Sequence, residues 1–164
     1  MFFELLILTA AMQAEGHAQS TADEAIVPEV LVFSKTAGFR HGSIGVGATA
    51  LQSLSGEDFT VRHTEDAGVF SESGLAPYES VVFLNTTMDV LDEQQQQAFV
   101  DWYRDGGGYV GIHAAADTEY EWPWYGQLMG AWFQSHPQVQ SADIILEDRT
   151  HPSMQHLPAI WTCT

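Results

Sequence analysis

The run EVLVFSKT, Glu29 to Thr36, is apolar at consecutive positions with no period-two alternation. Such a strand is buried on both faces, which only a parallel sheet covered by helices on each side provides. YVGIH (Tyr109 to His113) repeats the pattern, apolar until its last residue, and DFTVRHTED (Asp58 to Asp66) and YESVVFLNTT (Tyr78 to Thr87) read as further strands. The segments between them carry helical signals. After a glycine-spaced turn, Ser43 is placed to cap a helix ending near Gly56. Between Asp92 and Asp105 the apolar residues Ala98, Phe99, Trp102 and Tyr103 fall at helical spacing, with Asp92 and Glu93 at the end where the helix dipole favours acids. The triple glycine at 106–108 stops that helix, and Pro123 suits the first turn of another running to about Gly130. VQSADIILED, Val139 to Asp148, alternates more and is expected as a fifth strand at an edge. The Gln94 to Gln97 tract reads as the solvated face of its helix. Strands alternating with helices predict an α/β fold: an open, mostly parallel sheet in three layers, flavodoxin-like in its winding.

A length of 164 residues suits one domain. Five Lys and Arg against 22 Asp and Glu give a formal charge of −17, which repels phosphate backbones and excludes nucleic acid as a natural partner. The apolar run Phe2 to Met12 is too short to span a bilayer and has the length of an export-signal core, followed by small residues at Gly16 and Ala18. The expected organisation is therefore a signal peptide over 1–18, a linker over 19–28 and a folded domain over 29–164, with the mature protein secreted or periplasmic. The single cysteine, Cys163, forms no internal disulfide and sits too near a terminus for a catalytic thiol.

In open α/β sheets, ligands bind beyond the carboxyl ends of the strands. The polar residues of this chain gather there: Lys35, Phe39, Arg40 and His41 after the first strand, Asn85, Thr86 and Thr87 after the third, and His113, Asp117 and Glu119 after the fourth. Residues of these types also serve as ordinary caps and turn formers. The turn GIHAAAD has the layout of a nucleophile elbow, but His113 and Ala114 stand where Ser or Cys is needed, so acyl-enzyme chemistry has no nucleophile. Histidine still serves as a general acid or base. His113 is thus the candidate catalytic group, with Asp117 or Glu119 to orient it. His41, His113 and His136 form a nitrogen ligand set suited to a divalent metal, although their spacing matches no metal motif. Trp122, Trp124 and Tyr125 are of the side-chain type that stacks on sugar rings, with Arg40 and His41 as further substrate-binding candidates; packing of a helix on the sheet is the competing use of these aromatics.

The segments VLVFSKTAGFRHGSI (Val30 to Ile44) and GGGYVGIHAAADTEYEWPWYGQLMGAWFQSHP (Gly106 to Pro137), followed by HPSMQHLP and IWT, resemble in order and spacing the ThuA-like family, named for a trehalose-utilisation protein. The resemblance covers nearly everything from Val30 onward. It implies the fold of class I glutamine amidotransferases without their catalytic cysteine, and a role in utilising trehalose or a related sugar. If the protein is an enzyme, it is expected to be carbohydrate-active rather than an amidotransferase; the alternative is a non-catalytic sugar- or partner-binding module. Fused or associated sugar-processing domains are the expected partners. The family pattern continues past IWT, whereas this chain stops at Thr164, so the domain is expected to be incomplete at its C-terminus.

Overall fold

A computed structural model describes residues 27–163; the expected export signal and all of the linker but its last two residues lie outside that range. The first apolar run forms β1 (Glu29–Phe33), and the later ones form β2 (Thr60–Thr64), β3 (Tyr78–Leu84) and β4 (Gly108–Ile112). They pair in parallel in the order β2-β1-β3-β4. The expected α/β architecture is thereby met: side chains on alternate sides of β1 and β3 enter two separate cores, each roofed by helices.

One core is aliphatic. Val32, Val82 and Leu84 pack there against Ala48 of α1 (Ile44–Gln52). Gly47 lets α1 sit close, since a Cβ at that position would lie 3.2 Å from a Leu84 methyl. The helix does not reach across β4, and Val110 on this face stays 49% exposed. The other core is aromatic. Phe33 and Phe83 meet Phe70, Phe99, Tyr109 and Tyr125 in a run of stacked and edge-on rings with centroids 4.7 to 6.0 Å apart. A short helix, α2 (Glu72–Leu75), together with α3 (Glu93–Arg104) and α4 (Pro123–Met129), closes this side.

The helix ends follow their sequence signals in part. Asp92 caps α3 in a reciprocal box with Gln95, and Gly106 turns the chain out with φ +112°. Gly130 ends α4 with φ +82°. Ser43 precedes α1 but makes no capping bond, because its backbone is already helical and its hydroxyl faces Asn85 at 3.4 Å.

The fifth strand departs from expectation. β5 (Ala142–Ile145) does not extend the parallel sheet; it pairs antiparallel with β6 (Ile160–Cys163), matching Ile144 to Trp161 and Ile145 to Ile160. A partner reached through the segment 146–159 closes a shorter loop than an addition to the main sheet's edge at β4, and so at less entropic cost. Among the described residues, no helix is long and apolar enough to cross a membrane.

Candidate functional site

The strand ends place the site. β1 delivers the loop carrying Phe39 and His41, and β4 delivers His113, which a cis peptide joins to Ala114, followed by a single 3-10 turn at Ala115–Asp117. These two loops and the segment after α4 enclose a pocket of about 350 Å³, lined by Phe39, His41, His113, Asp117, Phe133 and His136 among others. Its floor is made of small residues, including Ala114, Ala115 and Gly111. A Cβ at Gly111 would lie 2.8 Å from the sulfur of Met129, so glycine is what lets α4 end against β4.

His113 is exposed, and its partner is a histidine. Nε2 of His113 lies 3.2 Å from Nε2 of His41, so one ring donates its Nε2–H and the other accepts. The rings meet edge-on at 88°, and Phe39 packs edge-on against the other side of His41 at 4.9 Å. His41 Nδ1 is buried without a hydrogen-bond partner. The loop bearing His113 is fixed from beneath, where the Asn85 side-chain amide donates to the His113 carbonyl.

Neither acid expected to orient His113 does so. The Asp117 carboxylate accepts from the Tyr120 hydroxyl, which also lies 2.9 Å from the Phe133 carbonyl. Loss of hydration and the adjacent Asp117 charge push that hydroxyl up to about 12. Glu119 is 1% exposed and lines no part of the pocket. Its Oε1 accepts the backbone N–H of Val90 at 2.9 Å and of Leu91 at 2.8 Å, and its Oε2 accepts from the Gln96 amide at 2.7 Å. Burial raises its pKa above the ordinary 4.5, with those three bonds opposing the rise.

The aromatic residues expected on the ligand are in the fabric of the protein. Tyr125 is fully buried and bonds the Tyr109 hydroxyl and the Ala115 carbonyl, each at 2.8 Å. Burial raises the pKa of both tyrosines. Trp122 stacks on Trp124 at 5.2 Å and on Tyr125 at 5.8 Å, and Trp124 meets Phe99 and Tyr103 edge-on. A helix that must cover a sheet face spends its large side chains there, which is the packing use of the same residue types. The aromatic surface the pocket does present belongs to Phe39 and Phe133, 70% and 39% exposed. Phe133 carried no signal in the sequence beyond its apolar side chain; the pull of the neighbouring tryptophans hid it.

Arg40 turns away from the pocket to a two-pronged pair with Glu65, at 2.6 and 3.0 Å. The Arg40 hydrogen bonds hold the Glu65 carboxyl below its ordinary range. Lys35 is likewise engaged, donating to the Val90 carbonyl at 2.8 Å. Of the expected metal set, all three histidines line the pocket, but His136 donates to the Pro137 carbonyl. Among the described residues no three His, Cys, Asp or Glu side chains converge as a ligand set.

The segments behind the pocket are tied and locally strained. Asn85, Met88 and Glu119 adopt φ of 53°, 59° and 57°, a region costing non-glycine residues about 1–3 kcal/mol each. Parallel bridges join Thr36 to Thr87 and Met88 to Thr118 beyond the strand ends, and the Thr86 and Thr118 hydroxyls bond at 2.9 Å. The loop after β3 therefore stands behind the pocket as a brace rather than lining it.

Comparison with known proteins agrees with this fold. The model of the ThuA family, described as trehalose utilisation, matches residues 29–164. No curated protein matches the chain. A solved ThuA-like protein from Bacteroides uniformis shares the fold with a TM-score of 0.70 at 24% identity, over 87% of this chain and 61% of that one. The chain thus spans about three-fifths of that protein's length.

Proposed function

This chain belongs to the ThuA, trehalose-utilisation, family, and from that premise we propose that the pocket between Phe39, His113 and Phe133 binds and modifies a sugar or an oxidised sugar. The observation that carries this reading is the combination of exposed aromatic faces with hydrogen-bonding imidazoles in a single cavity at the carboxyl edge of the sheet. Aromatic faces take up the C–H side of a pyranose ring while imidazoles exchange protons with its hydroxyls. In this reading His113 is the acid–base group and His41 is the residue that orients it. Export to the periplasm or beyond, and cooperation with fused or associated sugar-processing domains, belong to the same reading and rest on the N-terminal apolar run and the family.

The test is a panel of trehalose, glucose and their keto forms incubated with the full chain, with products followed by NMR. Turnover of one of them that disappears in His113→Ala is the expected result; equal turnover in that variant removes His113 from the mechanism.

A second reading is a non-catalytic sugar-binding module. It is favoured by the engagement of both nearby carboxylates, Asp117 by Tyr120 and Glu119 by Val90, Leu91 and Gln96. That reading predicts saturable binding without any change in the sugar.

A further inference from the structure

The His41–His113 separation fits a role other than a hydrogen bond. Two imidazole nitrogens bound to one first-row cation at about 2.0–2.1 Å stand roughly 3.0–3.4 Å apart in octahedral or tetrahedral geometry. The two Nε2 atoms already stand 3.2 Å apart, on residues 72 positions distant in sequence, at the wall of an open pocket. We propose that His41 and His113 form a two-point clamp for a nitrogen-preferring divalent cation of the zinc, cobalt or nickel class, with its remaining positions turned to water or ligand oxygens. The proposal does not depend on the sugar reading.

Several observations set its character. The clamp is braced before any ion arrives: Phe39 packs on His41, and the Asn85 amide holds the backbone of His113. Binding requires a lone pair on both Nε2 atoms, so both rings take the Nδ1–H form. His41 Nδ1 is buried without an acceptor, and that missing outer partner weakens the ion's hold. With two protein ligands and one of them unsupported, the clamp is an exchangeable site rather than a closed structural one.

The experiment titrates the full chain with Co²⁺ and Zn²⁺ separately, by absorbance and by calorimetry. One ion per chain is expected, with affinity falling at least tenfold in His41→Ala and in His113→Ala and unchanged in His151→Ala, which alters an exposed histidine on the far segment. Circular dichroism checks the fold of each variant; should either alanine variant fail to fold, His41→Gln and His113→Gln decide in its place. The proposal is overturned if the wild type binds no ion, or if binding survives unchanged in the variants of His41 and His113. A sugar-inactive protein that still binds cobalt through the pair leaves the clamp standing and removes only the sugar reading.

Discussion

The Glu119 carboxylate receives the side-chain amide of Gln96 at 2.7 Å, fastening the segment after β4 to the first turns of α3. Its other oxygen accepts the backbone N–H of Val90 and Leu91, two donors beyond the reach of water. Glu119→Ala leaves both without a partner, at about 1–3 kcal/mol each. Relief of the buried carboxylate offsets part of that, so a net loss of about 2–4 kcal/mol is expected in urea denaturation. Glu119→Gln keeps an acceptor for the two backbone groups and is expected to lose much less.

The same residue gives a pH dependence with a definite sign. Burial raises the folded-state pKa of Glu119 above 4.5, so the folded protein holds that proton more tightly than the unfolded chain does. The associated stability is fully present below pH 4.5 and is lost as pH rises through the folded value. Measured against Glu119→Gln, the wild type should gain relative stability as the solution is acidified toward pH 4.5. A difference that does not vary with pH would show that the carboxyl is not perturbed.

Trp124 is expected to matter to folding and not to ligand. It packs between Phe99 and Tyr103, away from the pocket lining, so Trp124→Ala should destabilise at the low end of about 3–5 kcal/mol. Any sugar affinity of the surviving folded fraction should be unchanged. A specific loss of binding at full stability would return the tryptophan to the ligand site.

Phe39 should behave in the opposite way. Its ring is largely exposed at the pocket, so Phe39→Ala is expected to leave the unfolding midpoint nearly unchanged. Loss of an aromatic face should weaken sugar binding by about 0.5–1.5 kcal/mol, or roughly two- to tenfold, read by calorimetry.

Gly111→Ala tests the floor of the pocket. The added Cβ would meet the Met129 sulfur at 2.8 Å, the Tyr109 hydroxyl at 3.1 Å and the Ala115 methyl at 3.2 Å. Methionine can yield and the two rigid neighbours cannot, so a loss of about 1–3 kcal/mol is expected on denaturation, together with weaker ligand binding.

The sheet and its flanking helices were legible because apolar runs without alternation admit few architectures, and Asp92, Gly106 and Pro123 mark their helix ends by local chemistry alone. β5 was misplaced because a short apolar strand carries no record of its partner, and Ile144 pairs with a Trp161 that showed no strand signal of its own. Gln94 to Gln97 looked like a solvated run, yet Gln95 closes the capping box and Gln96 reaches Glu119, contacts set by tertiary placement. The sequence pointed to the loops after the first and fourth strands and to His113, and residues of both loops line the pocket. It did not reveal that His113 faces His41, or that Glu119 faces backbone, because side-chain pairing across 72 and 28–29 residues follows from how the loops are laid over one another.

The bridges from Thr36 to Thr87 and from Met88 to Thr118 tie the loops after β1 and β4 together behind the pocket, and the backbone bond from Phe133 to Ala116 at 2.8 Å joins two of its walls. An arriving molecule therefore has little loop order to create, and the entropy spent on capture is mainly its own. For a ligand of the proposed kind, differences in affinity are then expected to lie mostly in how fast it leaves.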